Sequence, residues 1–152
     1  MRVITQEVKL FTFDELSDKA KDYVMSQMAP DHDWWYYILE EAKDLGLKIN
    51  TFDFRGGMSS EWVGDPEICA RLIIKDHGEM CDTYKEAKAY LNQLKTGEED
   101  NREELDKEFR YALQECYYSM LMKEYDYLTS EECIRETCEA NEYEFTEDGS
   151  MF

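Results

Sequence analysis

Apolar and polar positions divide the chain into short elements whose period changes along its length. Residues 3–13 mix Val3, Thr5, Val8, Leu10 and Thr12 with Ile4, Phe11 and Phe13. This two-residue alternation, with some irregularity, predicts an opening strand that carries a bulge. The period then turns helical. Leu16, Ala20, Val24 and Met28 recur every fourth residue, giving one buried face to a helix that Asp14 or Ser17 can cap. Beyond Pro30, the residues Trp34, Trp35, Ile38, Leu39, Ala42 and Leu45 make a broad apolar face on a second helix, with Gly46 as its C-terminal stop.

Two stretches then read as strands. In "LKINTFDFR" (47–55), Leu47 and Ile49 give way to Phe52 and Phe54, so the inner face shifts partway along. After the loop "GGMSSEWVGDP", the segment "EICARLIIKD" (67–76) alternates Ile68, Ala70, Leu72 and Ile74 with Cys69, Arg71 and Ile73. Adjacent strands joined by an ordinary loop pair antiparallel by default. Helices follow at 83–95 and at about 102–128. The second carries a long apolar stripe of Leu105, Phe109, Ala112, Leu113, Cys116, Met120 and Leu121. Thr129 and Glu132 have the spacing of a capping box, which opens a short helix to about Asn141.

At the end of the chain, Tyr143 and Phe145 alternate with Glu142, Glu144 and Thr146 ahead of a turn at Asp148-Gly149. This pattern predicts a short strand docked at a sheet edge rather than a free tail. The expected fold is α+β: a small, mainly antiparallel sheet of about four short strands packed with four to five helices, one of them long. No repeat or Pro/Ser-rich linker marks a boundary, so residues 1–152 are expected to form a single domain.

Charge changes the picture more than any motif does. The chain holds 36 acidic and 17 basic residues, a formal net charge of −19, with 43% apolar content. That apolar fraction supports a packed core, while the charge repels polyanionic nucleic acid and anionic membranes and attracts basic protein surfaces. Direct nucleic-acid binding is not expected. No apolar run approaches the length of a membrane span, and five cysteines at irregular spacing suit reduced thiols, so a cytoplasmic setting is expected. Residues 98–148 concentrate the charge, with 18 acidic and 5 basic side chains.

Candidate catalytic chemistry is sparse, and the expectation is a protein that is not an enzyme and has no cofactor or metal. His77 and Cys81 are close enough in sequence to meet in a turn, but an acidic protein supplies poorly the electropositive setting a reactive thiolate needs. Cys69, His77 and Cys81 as metal ligands read better as a loop histidine and packed cysteines. Asp31-His32-Asp33 suits helix capping better than a cation site. "RGGMSS" lacks the lysine and helix of a phosphate loop. Trp34-Trp35 lacks the positive groove of a base-stacking platform.

Two interaction surfaces remain. On the long helix, Glu104, Glu108 and Glu115 are four and seven residues apart, with Glu103 and Asp100 close to the same edge. Held rigidly, such carboxylates can imitate the charge of a nucleic-acid backbone. The second surface is aromatic: Tyr117, Tyr118, Tyr125 and Tyr127 near the end of that helix, a residue type that favours interfaces.

"FTFDELSDKAKDYVMSQM", "DHDWWYYILEEAKDLGLKI" and the ending "EANEYEFTEDG" together resemble a group of small acidic proteins encoded by phages and prophages. Most of that group is of unassigned function and some members are loosely labelled antitoxins. The likeness spans about residues 8–55 and 130–149. It implies a phage-encoded protein in an infected or lysogenic bacterium, and the charge makes a non-enzymatic inhibitor that binds a basic nucleic-acid-binding surface the expectation. Its implied partner is a host defence nuclease, of the anti-CRISPR or anti-restriction kind, or that nuclease's complex, bound at its basic nucleic-acid site. The alternative is an antitoxin-like or host-modulating module that uses the aromatic patch.

Overall fold

In the computed structural model, which describes every residue except 31, 32, 56 and 98–100, the chain separates into two compact units, Met1–His32 with Glu124–Phe152 and Asp33–Lys123. The elements described are a 3-10 turn at Phe13–Glu15, six α-helices and one two-stranded antiparallel sheet. The class is α+β, as the hydrophobic pattern implies. The sheet has two strands where about four were expected.

The second unit contains α2 (Tyr36–Leu45), β1 (Leu47–Asp53), β2 (Gly57–Trp62), α3 (Pro66–Asp76), α4 (Asp82–Thr96) and most of α5 (Arg102–Leu128). Its core joins Ile38, Ala42, Leu47, Cys69, Ile73, Ala87, Tyr90, Phe109, Leu113, Tyr117 and Leu121. Trp34 and Trp35 both pack against this core, with their rings edge to face. The helix α2 stops where Gly46 takes a left-handed φ of 109°, a backbone region that glycine enters without steric cost. β1 follows at once. Its register slips between Ile49 and Thr51, so the buried side passes from Leu47 and Ile49 to Phe52. That bulge is the shift of inner face the sequence predicts.

Two segments exchange roles. The expected loop after β1 is the strand β2, paired from Leu47↔Trp62 to Asp53↔Gly57, and the expected strand 67–76 is the helix α3. Asp65 caps α3 by accepting the Glu67 amide at 2.8 Å, and Pro66 occupies its first turn. Both are helix-start signals. With Cys69, Ala70 and Ile73 buried and Ile68 58% exposed, the apolar run follows a helical face, not a two-residue alternation.

A spaced series of residues on α5 explains why so polar a segment as Gly57–Trp62 is a strand. Trp62 Nε1 donates to the Asp106 carbonyl at 3.0 Å. Arg110 donates to the Ser60 carbonyl at 2.9 Å, Gln114 Nε2 to the Met58 carbonyl at 2.7 Å, and the Tyr118 hydroxyl to the Phe54 carbonyl at 3.1 Å. Positions 106, 110, 114 and 118 are about one helical turn apart and run antiparallel to β2. The hairpin's backbone acceptors are thus satisfied by side chains from far along the chain.

In the first unit, Phe13, Leu16, Ala20, Val24, Ile134, Cys138 and Phe145 form the core between α1 (Asp18–Gln27) and α6 (Glu131–Ala140). Ser17 caps α1 and Ser130 caps α6, each accepting from an amide three residues on. The α6 cap is therefore one residue later than the Thr129 expected, because the Thr129 hydroxyl turns back to the Tyr125 carbonyl at 2.8 Å. The opening strand does not form. Within 3–13 only Phe11 pairs, in an isolated antiparallel bridge to Phe145, whose other side bridges Met151. Alternation alone cannot stabilise a strand that has no ladder partner. The ending is correspondingly an anchored bridge instead of a regular strand, with Phe145 1% exposed and Tyr143 half-buried. The turn after it forms as expected. Gly149 has φ 90°, and a Cβ there would lie 2.7 Å from the Ala20 carbonyl oxygen.

Candidate interaction surface

The helix α5 begins with Glu103 and Glu104 in its first turn, where carboxylates favour the positive end of the helix dipole. Leu105, Phe109, Leu113, Tyr117 and Leu121 turn toward the core, which forces the positions about half a turn away outward. Glu104, Glu108, Tyr111 and Glu115 consequently share one exposed stripe. None of its three carboxylates is in an ion pair among the described residues. Glu103 is also exposed, but at 3.6 residues per turn it lies about 100° round from Glu104. Asp100 lies outside the described residues, as do Asp31 and His32.

Of the basic residues near the stripe, Arg102 is turned away from it, Arg110 reaches its edge at Tyr111, and Lys107 is exposed beside it. Arg110 is drawn to Ser60 and lies over the Tyr111 ring at 4.4 Å. Arg102 pairs with Asp106 at 3.0 Å and reaches Asp65 and Glu67 at 3.7 and 3.6 Å. Asp106 also accepts a short hydrogen bond from the Tyr90 hydroxyl, and burial, followed by that carboxylate, pushes the phenol's pKa up. The start of α5 is thereby tied to α3, α4 and β2. Along the helix axis Glu104, Glu108 and Glu115 lie about 6 and about 10 Å apart, a mean spacing of about 8 Å, much sparser than the one charge per about 3.4 Å of a DNA strand.

The aromatic surface is reduced. Tyr117 is fully buried, so it is removed from any exposed cluster, and its hydroxyl is the one buried side-chain polar atom without a hydrogen bond among the described residues. Tyr118 is half-buried, with its hydroxyl committed to Phe54 and its ring against Phe52. Tyr125 and Tyr127 are 36% and 47% exposed in the other unit, where Tyr127 donates to Glu136 at 3.3 Å. The signal for Tyr117 lay in the spacing: Phe109, Leu113, Tyr117 and Leu121 recur every fourth residue.

A cleft of about 620 Å³ gathers Glu41, His77, Cys81, Thr83, Cys116 and Lys123 along its lining. The His77 ring is held on both sides, by the Thr83 hydroxyl at Nδ1 (2.6 Å) and by Glu41 at Nε2 (3.3 Å). Both ring nitrogens are thus engaged by groups other than the Cys81 thiol. Burial, then Glu86, Asp82 and Glu115, push the Cys116 thiol up to about 11, and burial pushes Cys69 up to about 12. Cys69 is fully buried while Cys81 is exposed, and no set of three or more His, Cys, Asp or Glu among the described residues is arranged to hold a metal ion. No helix among the described residues is long and apolar enough to cross a membrane.

No family model, curated protein or solved structure matches this chain.

Proposed function

We propose that this is a non-enzymatic, phage-encoded inhibitor acting in the cytoplasm of an infected or lysogenic bacterium, and that it binds a basic protein surface through the outer face of α5. The observation that carries this reading is the stripe of Glu104, Glu108 and Glu115, exposed and in no ion pair among the described residues, on a helix whose neighbouring face is pinned to the hairpin through Arg110, Gln114 and Tyr118. A pinned helix holds its charges in place before binding, which lowers the ordering cost of the encounter. A partner rich in Lys and Arg gains oppositely charged contacts, and the net charge of −19 steers its approach.

The partner class that fits is a nuclease of host defence, of the CRISPR or restriction kind, bound where it would otherwise hold nucleic acid. The resemblance to small acidic phage proteins supports that choice. The stripe is sparser than duplex DNA, so its match is to a few cations lining one strand of a channel. The aromatic alternative, an antitoxin-like module, is weaker, since Tyr117 is buried and the Tyr118 hydroxyl is spent on Phe54.

The test is phage plating on bacteria that carry a defined CRISPR or restriction nuclease. The unaltered protein restores plating against a susceptible system, and the triple reversal E104K/E108K/E115K, folded by circular dichroism, does not. Equal activity of the two proteins contradicts the proposal.

A further inference from the structure

The first ten residues form neither helix nor regular strand, yet Val3, Ile4 and Val8 are 81%, 79% and 53% exposed. This arm keeps the alternation of a strand, and among the described residues the backbone pairing nearest to it is the Phe11–Phe145 bridge that follows it. Its charge is opposite to that of the body: Arg2, Lys9 and Glu7 give +1 within a chain of −19.

Beside the bridge runs a groove of about 720 Å³. Its apolar lining is Leu10, Phe11, Phe13 and Tyr143, and its acidic lining includes Glu139, Glu142 and Glu144. Two other lining acids are already engaged, Asp14 by Arg135 at 2.7 Å and Glu15 by the Thr12 amide at 3.0 Å. Glu139, Glu142 and Glu144 are in no ion pair among the described residues.

We propose that the arm of one copy lies in this groove of a second copy, in reciprocal two-fold exchange. Ile4 and Val8 then cover Leu10, Phe11 and Tyr143, while Arg2 and Lys9 meet the three glutamates. The groove begins at Leu10 itself, so an arm entering its own groove would have to reverse direction within two or three residues. Residues 1–13 contain no glycine or proline to make such a turn. Extended, residues 2–9 span about 26 Å, enough to reach a neighbouring copy.

Light scattering on the eluting full-length chain tests this. The expected mass is twice 18.1 kDa. It falls to the monomer value in I4D/V8D and in E139K/E144K, with the circular dichroism spectrum unchanged because these side chains lie outside the core. Mixing the two variants restores a dimer, since one retains the groove and the other the arm. A monomeric unaltered chain at the highest attainable concentration overturns the proposal, as does a dimer indifferent to I4D/V8D. A dimer that needs the arm but survives E139K/E144K, with no complex formed on mixing, means that arms pair with each other, and overturns it equally.

Discussion

The side-chain amide of Gln114 donates to the backbone carbonyl of Met58 at 2.7 Å while its oxygen accepts the Ser60 hydroxyl at the same distance. One residue of α5 thus satisfies two positions of β2 across 54 and 56 residues of sequence. Gln114 is itself 7% exposed, so neither partner is replaced by solvent without rearrangement. Replacing Gln114 with Leu leaves the Met58 carbonyl and the Ser60 hydroxyl without these partners and costs about 1–3 kcal/mol. Urea denaturation measures it. The amides of Gly57–Trp62 should exchange faster in the variant, since β2 loses part of its anchorage.

The Tyr117 hydroxyl is the opposite case, a buried donor with no partner among the described residues. Burial, then the neighbouring Glu41, Cys69 and Cys116, push its pKa up, which keeps the phenol neutral. Tyr117→Phe removes the orphaned group and keeps the ring, so stability is unchanged or rises by up to about 1 kcal/mol. Tyr117→Ala opens a cavity and loses about 3–5 kcal/mol, as for other buried aromatics. Thermal unfolding of the two variants separates these effects. Loss of binding in Tyr117→Ala would therefore report a damaged core and not a contact residue.

Phe145 anchors the end of the chain. Phe145→Ala is expected to cost about 3–5 kcal/mol, a large share of the roughly 5–15 kcal/mol available to a small domain. Glu142→Gln with Glu144→Gln, both exposed, should change stability by less than about 0.5 kcal/mol. Truncation after Asp148 should also be measurable, because it removes the close approach of Gly149 to Ala20 and the bond from the Phe152 amide to the Glu144 carbonyl. Chemical denaturation compares all three.

Hydrogen bonds from Thr146 and Ser150 hold the Asp148 carboxyl below its ordinary value of 3.8, and those from Thr12 hold Glu15 below 4.5. A depressed carboxylate stabilises the fold fully above its unfolded pKa and loses that contribution as pH falls through the folded value. The deficits of Asp148→Asn and Glu15→Gln should therefore be constant above about pH 5.5 and shrink as the pH is lowered beneath 3.8 and 4.5 respectively. Melting temperatures from pH 7 to pH 2 check it.

Where local signals were strong, sequence and structure agree. The long helix occupies Arg102–Leu128 because its apolar stripe persists for several turns, and the bulge in β1 was visible as the passage from Ile49 to Phe52. The strand β2 was not visible, since Gly57, Ser59 and Ser60 have little intrinsic preference for a strand and owe their place to Arg110 and Gln114. In α3, a short apolar run satisfied both periods, and the deciding marks were Asp65 and Pro66 at its start. At 3–13 the alternation was real but had no partner to pair with. Exposure of Glu104, Glu108 and Glu115 followed from helical spacing alone. Burial of Tyr117 was legible in the same way, from its four-residue spacing with Phe109, Leu113 and Leu121.

The most direct measurement is nucleic-acid competition on the complex formed with the nuclease identified by phage plating. If α5 occupies the nucleic-acid site, unlabelled DNA or RNA displaces the protein competitively. Affinity then also falls steeply from roughly 50 to 200 mM salt, and E104K/E108K/E115K abolishes binding. Simultaneous binding of protein and nucleic acid, or an affinity indifferent to salt, would contradict the account.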